Sequence, residues 1–128
     1  MPPEFFLDRN LGRRVSEELR ARGWVVHRIG DVYADDGQDV PDEEWISLGL
    51  RRGWVPLSKD GRIRGRDREC GPLREHAGIL FYLDNQQLRS TVIIDRFDSC
   101  RPLILEALEK GGPAAYAVRA DGIEQTWP

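Results

Sequence analysis

Apolar and polar positions along this chain alternate between two periods, and each change of period marks an element. Phe5-Phe6-Leu7 is an unbroken apolar run inside Glu4 to Asp8, which predicts a short buried strand ending in a carboxylate. Leu11, Val15 and Leu19 then recur at four-residue spacing, predicting a helix over Leu11 to Arg22 that Gly23 closes. Trp24 to Ile29 reads as a second strand. A single helix between the two strands makes a right-handed βαβ unit with parallel strands the default. Gly30 to Val40, with scattered acids, two glycines and no periodicity, reads as a loop.

The pattern resumes at Pro41. Asp42, Glu43 and Glu44 put negative charge in a first helical turn, where the helix dipole favours it, and Trp45, Leu48 and Gly49 share one face. Gly53 ends that helix, and Trp54 to Ser58 predicts a third strand leading into Lys59-Asp60. Gly61 to Gly71 is basic and punctuated by glycine, so it reads as irregular, with a short helix at Pro72 to His76. Gly78 to Leu83 is apolar throughout and predicts a fourth strand buried on both faces. Leu88 to Leu108 carries apolar residues at helical spacing but is interrupted near Pro102, which predicts two helices or one kinked helix. Pro113 to Val118 and Ile123 to Trp127 predict a final hairpin that turns at Asp121-Gly122. The expected fold is α/β, one domain over residues 1–128, with a mainly parallel sheet and an antiparallel edge.

Size and charge narrow the function. A chain of 128 residues can bury a core without a disulfide or metal staple. No apolar run is long enough for a membrane span, and no basic region precedes a hydrophobic core at Met1-Pro2-Pro3-Glu4, so no membrane association and no secretory signal are expected. Cys70 and Cys100 form no disulfide framework, and with His27 and His76 they match no zinc spacing; reduced thiols fit a cytoplasmic protein. The net charge of −3 conceals an asymmetry. Asp31 to Glu44 holds seven acids and no Lys or Arg, whereas Lys59 to Arg74 holds six basic residues against three acids. An acidic loop and a basic segment flanking one helix-strand step suit a metal site beside a phosphate-binding surface, and equally suit two solvated loops.

Three aspartates stand where strands end or helices begin. Asp8 falls at the carboxyl end of the first strand, the rim where open α/β sheets place ligands. Its competing role is a helix cap, but Asn10, immediately before the periodic residues, is the better cap candidate. Asp42 reads locally as an N-cap, a role that leaves one carboxylate oxygen available. Asp60 precedes Gly61 and suits a turn, yet Ser58-Lys59-Asp60 also gathers a hydroxyl, an ammonium and a carboxylate at one strand end. If the first and third strands are neighbours, Asp8 and Asp60 come within reach of one cation. No glycine-rich phosphate loop and no nucleophile elbow is present in the sequence.

Phe6-Leu7-Asp8-Arg9-Asn10-Leu11, Asp42-Glu43-Glu44-Trp45-Ile46 and Gly53-Trp54-Val55-Pro56-Leu57-Ser58-Lys59-Asp60 resemble the signature of PIN-like domains, in particular the VapC-type toxin branch, and Gly112 to Val118 is similar to that family's C-terminal strand. The resemblance implies a three-layer sandwich with helices on both faces of the sheet. It implies a metal-dependent endoribonuclease, cleaving RNA with Mg²⁺ or Mn²⁺ and restrained by a cognate antitoxin, and by family analogy a homodimer. Asp8, Asp42 and Asp60 correspond to its metal-binding catalytic acids. A fourth family acid has no clear counterpart: Asp31, Asp35, Asp36 and Asp39 lie in the loop, and Glu43 and Glu44 are possible accessory acids. Ser58, Lys59, Asn10, Arg62, Arg64 and Arg66, with Arg68, are then the expected contacts to RNA, and Arg9 and Arg13 weaker ones. Two other readings fit the residues less well: a PIN-like module that binds RNA or protein without turnover, and a receiver-like or phosphatase-like domain phosphorylated on Asp8.

Overall fold

The computed structural model describes residues 2–59, 67–83, 85 and 87–128, with the side chains of Asp36, Asp67, Arg68 and Glu69 outside that description. In chain order the elements are β1 (Glu4–Leu7), α1 (Arg13–Ala21), β2 (Val25–Arg28), α2 (Asp42–Arg51), β3 (Trp54–Ser58), α3 (Asp67–His76), β4 (Ile79–Tyr82), α4 (Ser90–Ser99), α5 (Arg101–Lys110), β5 (Ala114–Arg119) and β6 (Gly122–Trp127). They build a six-stranded sheet in the order β2-β1-β3-β4-β5-β6. Every neighbouring pair from β2 to β5 is parallel, and β6 closes the sheet antiparallel to β5.

The alternation of side chains along β1 divides the core in two. Phe5 and Leu7 face one side, where they meet Leu11, Val15 and Leu19 of the α1 region with Phe97 of α4 and Ile104 of α5. Phe6 faces the other side, with Trp45 and Ile46 of α2 and Leu73 of α3. The result is three layers, with α1, α4 and α5 on one face and α2 and α3 on the other. Near-continuous burial of β3 and β4 follows from this covering of both faces. Phe6 sits edge-on to Trp45 at 5.7 Å and to Trp54 at 5.1 Å between ring centroids. Each such pair contributes roughly 0.5–1.5 kcal/mol beyond the area it buries.

Close approach of α2 to the sheet depends on Gly49. A Cβ added there would lie 2.7 Å from Cδ2 of Phe6, a ring already 0% exposed, so glycine is what lets the helix settle onto β1.

Several boundaries differ from the expected ones. A 3-10 turn over Arg9–Leu11 and Gly12, at φ 83°, precede α1, which therefore begins at Arg13 rather than Leu11. The segment after β2 is not featureless, since it contains 3-10 turns at Ile29–Asp31 and Ala34–Gly37. The helix expected from Pro72 begins at Asp67 and carries Pro72 in its interior. Proline there forfeits a backbone hydrogen bond, and burial of Cys70, Pro72 and Leu73 offsets the loss. The Leu88 to Leu108 segment resolves into two helices that break at Cys100, leaving Pro102 in the first turn of α5, where no intrahelical bond to its nitrogen is needed.

Candidate active site at the carboxyl edge of the sheet

The strand order places a topological switch between β1 and β3. From β1 the chain crosses through α1 to β2 on one side, then returns through α2 to β3 on the other, so the two helices lie on opposite faces and leave a crevice outside the carboxyl ends of β1 and β3. Asp8 and Ser58 stand there. The register Leu7↔Leu57 makes them the next residues along adjacent strands, and the Asp8 N–H donates to Leu57 O at 2.9 Å. The adjacency of the first and third strands, on which the sequence reading depended, is therefore present.

Ser58 is fully buried, and its Oγ donates to Asp8 Oδ2 at 2.8 Å. Packing of β3 against β1 and β4 holds the hydroxyl, and the hydroxyl fixes the carboxylate. Asp8 Oδ1 accepts a longer bond, 3.4 Å, from the Asn10 backbone N–H, so Asp8 is itself the cap of the Arg9–Leu11 turn. Here the expected assignment reverses. Asn10 lies inside that turn and does not cap α1, whose N-cap is Gly12 with no side-chain hydrogen bond. The carboxylate caps and still faces the crevice.

Asp42 also departs from its expected local role. Pro41 occupies the N-cap and Asp42 is the first residue of α2. Its Oδ1 accepts a 2.9 Å hydrogen bond from Nε1 of Trp45, an indole 1% exposed that needs a partner once buried. Because α2 runs antiparallel to the strands it connects, its first turn lies at the same edge as Asp8. Glu43 and Glu44 share that turn, where Glu44 acts on Tyr33: burial first and then this carboxylate raise the phenol above its ordinary value.

Of the loop acids, Asp31 has a structural role. Its Oδ2 accepts from the Arg28 N–H at 3.1 Å and pairs with Arg20 at 3.4 Å, while the same guanidinium donates to Val26 O. Val26 O and the Arg28 N–H belong to the outer edge of β2, so this pair covers an edge that would otherwise accept another strand.

Asp60, Arg62, Arg64 and Arg66 lie outside the described residues, as does the side chain of Arg68. Lys59 follows Ser58 and is partly buried at the same strand end. Among the described residues no three acid, histidine or cysteine side chains converge as metal ligands. Asp8 at the switch point and Asp42 in the first turn of α2 are carboxylates on this edge, and carboxylate oxygens are hard ligands of the kind Mg²⁺ and Mn²⁺ prefer.

The sequence reading missed Arg28. The register Leu7↔Arg28 sets it beside the end of β1, and with Asp8, Arg9, Gly12 and Arg13 it lines a small cavity of about 50 Å³. The last residue of a strand parallel to β1 is a predictable neighbour of Asp8, and that was the available signal.

A family model described as a PIN like domain matches residues 3–85, from β1 through β4. The chain belongs to the PIN-like domain family. The match covers the part of this PIN-like domain that carries Asp8, Asp42 and Ser58. A Mycobacterium tuberculosis protein named "Putative ribonuclease VapC45" is 27% identical over 120 residues, covering 92% of this chain and 87% of that one. A kinesin-like protein of Oryza sativa subsp. japonica, KIN-14F, is 38% identical over 61 residues, which cover 44% of this PIN-like domain but 6% of the kinesin-like chain. So small a share gives no ground for transferring a motor function. No solved structure matches.

Proposed function

We propose that this PIN-like domain is an endoribonuclease of a toxin–antitoxin pair, dependent on Mg²⁺ or Mn²⁺. The observation that carries the reading is the Asp8 carboxylate held by buried Ser58 at the switch point between β1 and β3. Similarity to a VapC-named ribonuclease over nearly the whole chain supports the same reading. Asp8, Asp60 and Asp42 are the residues assigned to hold the ion, with Glu43 and Glu44 as accessory acids. When bound, the ion would supply Lewis-acid activation and charge neutralisation at phosphorus.

The residues of the chain do the rest. Asp8, held by the Ser58 hydroxyl, keeps one carboxylate orientation in place of a freely rotating side chain, which is the preorganisation an ion-binding acid needs. Lys59, Arg62, Arg64 and Arg66 are assigned to the RNA backbone, with Asn10 at the rim, and their charge makes binding weaken as salt rises. One phosphodiester bond and one water give a phosphomonoester and an alcohol. The proposed partners are an RNA substrate, a cognate antitoxin protein and a second copy of the chain.

The test is RNA cleavage by purified protein, with and without EDTA, alongside Mn²⁺ titration calorimetry. Cleavage that needs Mg²⁺ or Mn²⁺, with measurable Mn²⁺ binding, supports the reading. RNA binding without Mn²⁺ binding or cleavage would replace it with a non-catalytic RNA-binding module.

A further inference from the structure

The two edges of the sheet differ. On β2 the Arg20–Asp31 pair occupies outer main-chain groups, taking Val26 O and the Arg28 N–H. β6 forms the opposite edge, and among the described residues no strand pairs with its outer side. The outer groups follow from the hairpin. Ala120 and Asp121 make a two-residue turn, so Arg119 and Gly122 form a hydrogen-bonded pair. Antiparallel pairs alternate, so Ile123, opposite Val118, and Gln125, opposite Tyr116, point N–H and C=O away from β5. From Gly122 to Gln125 this edge has no lysine, no proline and no bulge, and its one acid, Glu124, is held by Arg119 at 2.8 Å.

An apolar surface adjoins the open edge. Leu103 of α5 is 40% exposed, and a Cβ added at Gly122 would lie 3.8 Å from its Cδ1, so the leucine stands over the start of β6. With Ala107, Tyr116 and Ile123 it borders a cleft of about 170 Å³ between α5 and the hairpin. Main-chain groups and apolar side chains are thus offered at one place, the combination that strand addition uses.

We infer that β6 pairs antiparallel with β6 of a second copy of this chain, about a two-fold axis at Ile123 that joins the two sheets into one. The register selects this occupant. With the axis at Ile123, that residue exchanges main-chain hydrogen bonds with the partner's Ile123, and Glu124 falls opposite the partner's Gly122. Leu103 then faces the partner's Leu103 over the cleft. Moving the axis to Glu124 sets like charges directly opposite, and moving it to Gln125 carries the pairing into the irregularity between β5 and β6 beyond that residue. One open strand and one exposed leucine supply both halves of such an interface, as two-fold symmetry requires. The inference deepens the proposed function by giving its second copy a surface, and its test reads no RNA, so either can fail without the other.

Sedimentation velocity between about 1 and 100 μM is expected to show a monomer–dimer equilibrium. Leu103→Glu and Gln125→Pro, each checked for native melting, should raise the dissociation constant at least about tenfold. Proline is tolerated where an edge N–H faces outward, so Gln125→Pro removes bonds to the partner alone. Val25→Glu is the control, because Val25 is 38% exposed on β2 at the far edge, and its dimer should be as tight as wild type. Oxidative cross-linking reads the register. Ile123→Cys should form an intermolecular disulfide, its two Cα atoms lying about 5.5 Å apart across the axis. Gln125→Cys, four residues out of step with its mate, should not, and the native Cys70 and Cys100 are buried. A wild-type protein that stays monomeric throughout would leave the edge to a different strand donor and overturn the pairing. Equal weakening by Val25→Glu, or cross-linking at position 125 in place of 123, would overturn it as well.

Discussion

Ser58 Oγ and Asp8 Oδ2 are 2.8 Å apart on adjacent parallel strands, with the serine fully buried and the aspartate partly open to the crevice. A hydroxyl has one proton, and here it is given to the carboxylate. Ser58 is thus a positioning residue. Ser58→Ala should lower kcat for RNA cleavage by roughly tenfold or more with KM little changed, because orientation is lost while the RNA-binding cations remain. Ser58→Thr, which keeps the hydroxyl, should restore most of the rate. A rise in KM with unchanged kcat would assign Ser58 to substrate binding instead.

Gly49 and Phe6 set the seat of α2, and through it the place of Asp42. Gly49→Ala gains about 1 kcal/mol of helix propensity, against about 1–3 kcal/mol for forcing a methyl into a packed ring. The clash involves an aromatic carbon at 2.7 Å rather than the end of a flexible chain, so the loss should win. A lower urea midpoint at unchanged m-value is expected. A higher midpoint would show that α2 can shift without cost.

The Arg20–Asp31 pair has solvent-exposed members, 45% and 49% by side chain, so its direct contribution to stability is small, under about 1 kcal/mol. Its role is at the edge of β2. Asp31→Ala leaves the Arg28 N–H without its carboxylate and should raise concentration-dependent self-association by light scattering while barely changing the melting temperature. A large drop in melting temperature with no association would reverse that assignment.

Cys100 sits at the break between α4 and α5, where Sγ donates to Arg119 O at 3.4 Å and to Gly122 O at 3.7 Å. Burial pushes its thiol above the ordinary 9.0. Above that value the unfolded chain has released the proton while the folded one retains it, so the contribution is complete below pH 9 and is lost as pH rises through the folded value. Burial of Tyr33 has the same sign at higher pH. Chemical denaturation under reducing conditions should give a stability that falls as pH rises above about 9, less steeply in Cys100→Ala. Parallel curves for the two proteins would contradict it.

Much of this arrangement was legible in the sequence because its signals were local and repeated. Phe5-Phe6-Leu7 reads as a buried strand, and the four-residue spacing of Val15 and Leu19 marks the buried face of α1, although Leu11, which continues the spacing, lies in the 3-10 turn before it. What escaped was decided by single hydrogen bonds. Asn10 is in the favoured position for a cap, but Asp8, anchored by Ser58 from fifty residues away, captures the Asn10 N–H first. Asp42 has the composition of an N-cap, but the indole of Trp45, once buried, claims its carboxylate one position inside the helix. Arg28 resembles an ordinary strand-end arginine until the β1–β2 register brings it beside Asp8. Propensity cannot register such pairings, because both partners must first be brought together by the sheet.

Under the proposed function, Asp8 after β1 and Asp60, two positions beyond β3 in the sequence, are the acids on which cleavage depends. RNA cleavage by Asp8→Ala and Asp60→Ala proteins, each checked for native melting, tests it most directly. Cleavage is expected to fall by at least about a hundredfold in both, with RNA binding in calcium retained. Wild-type cleavage rates in either folded variant would contradict it.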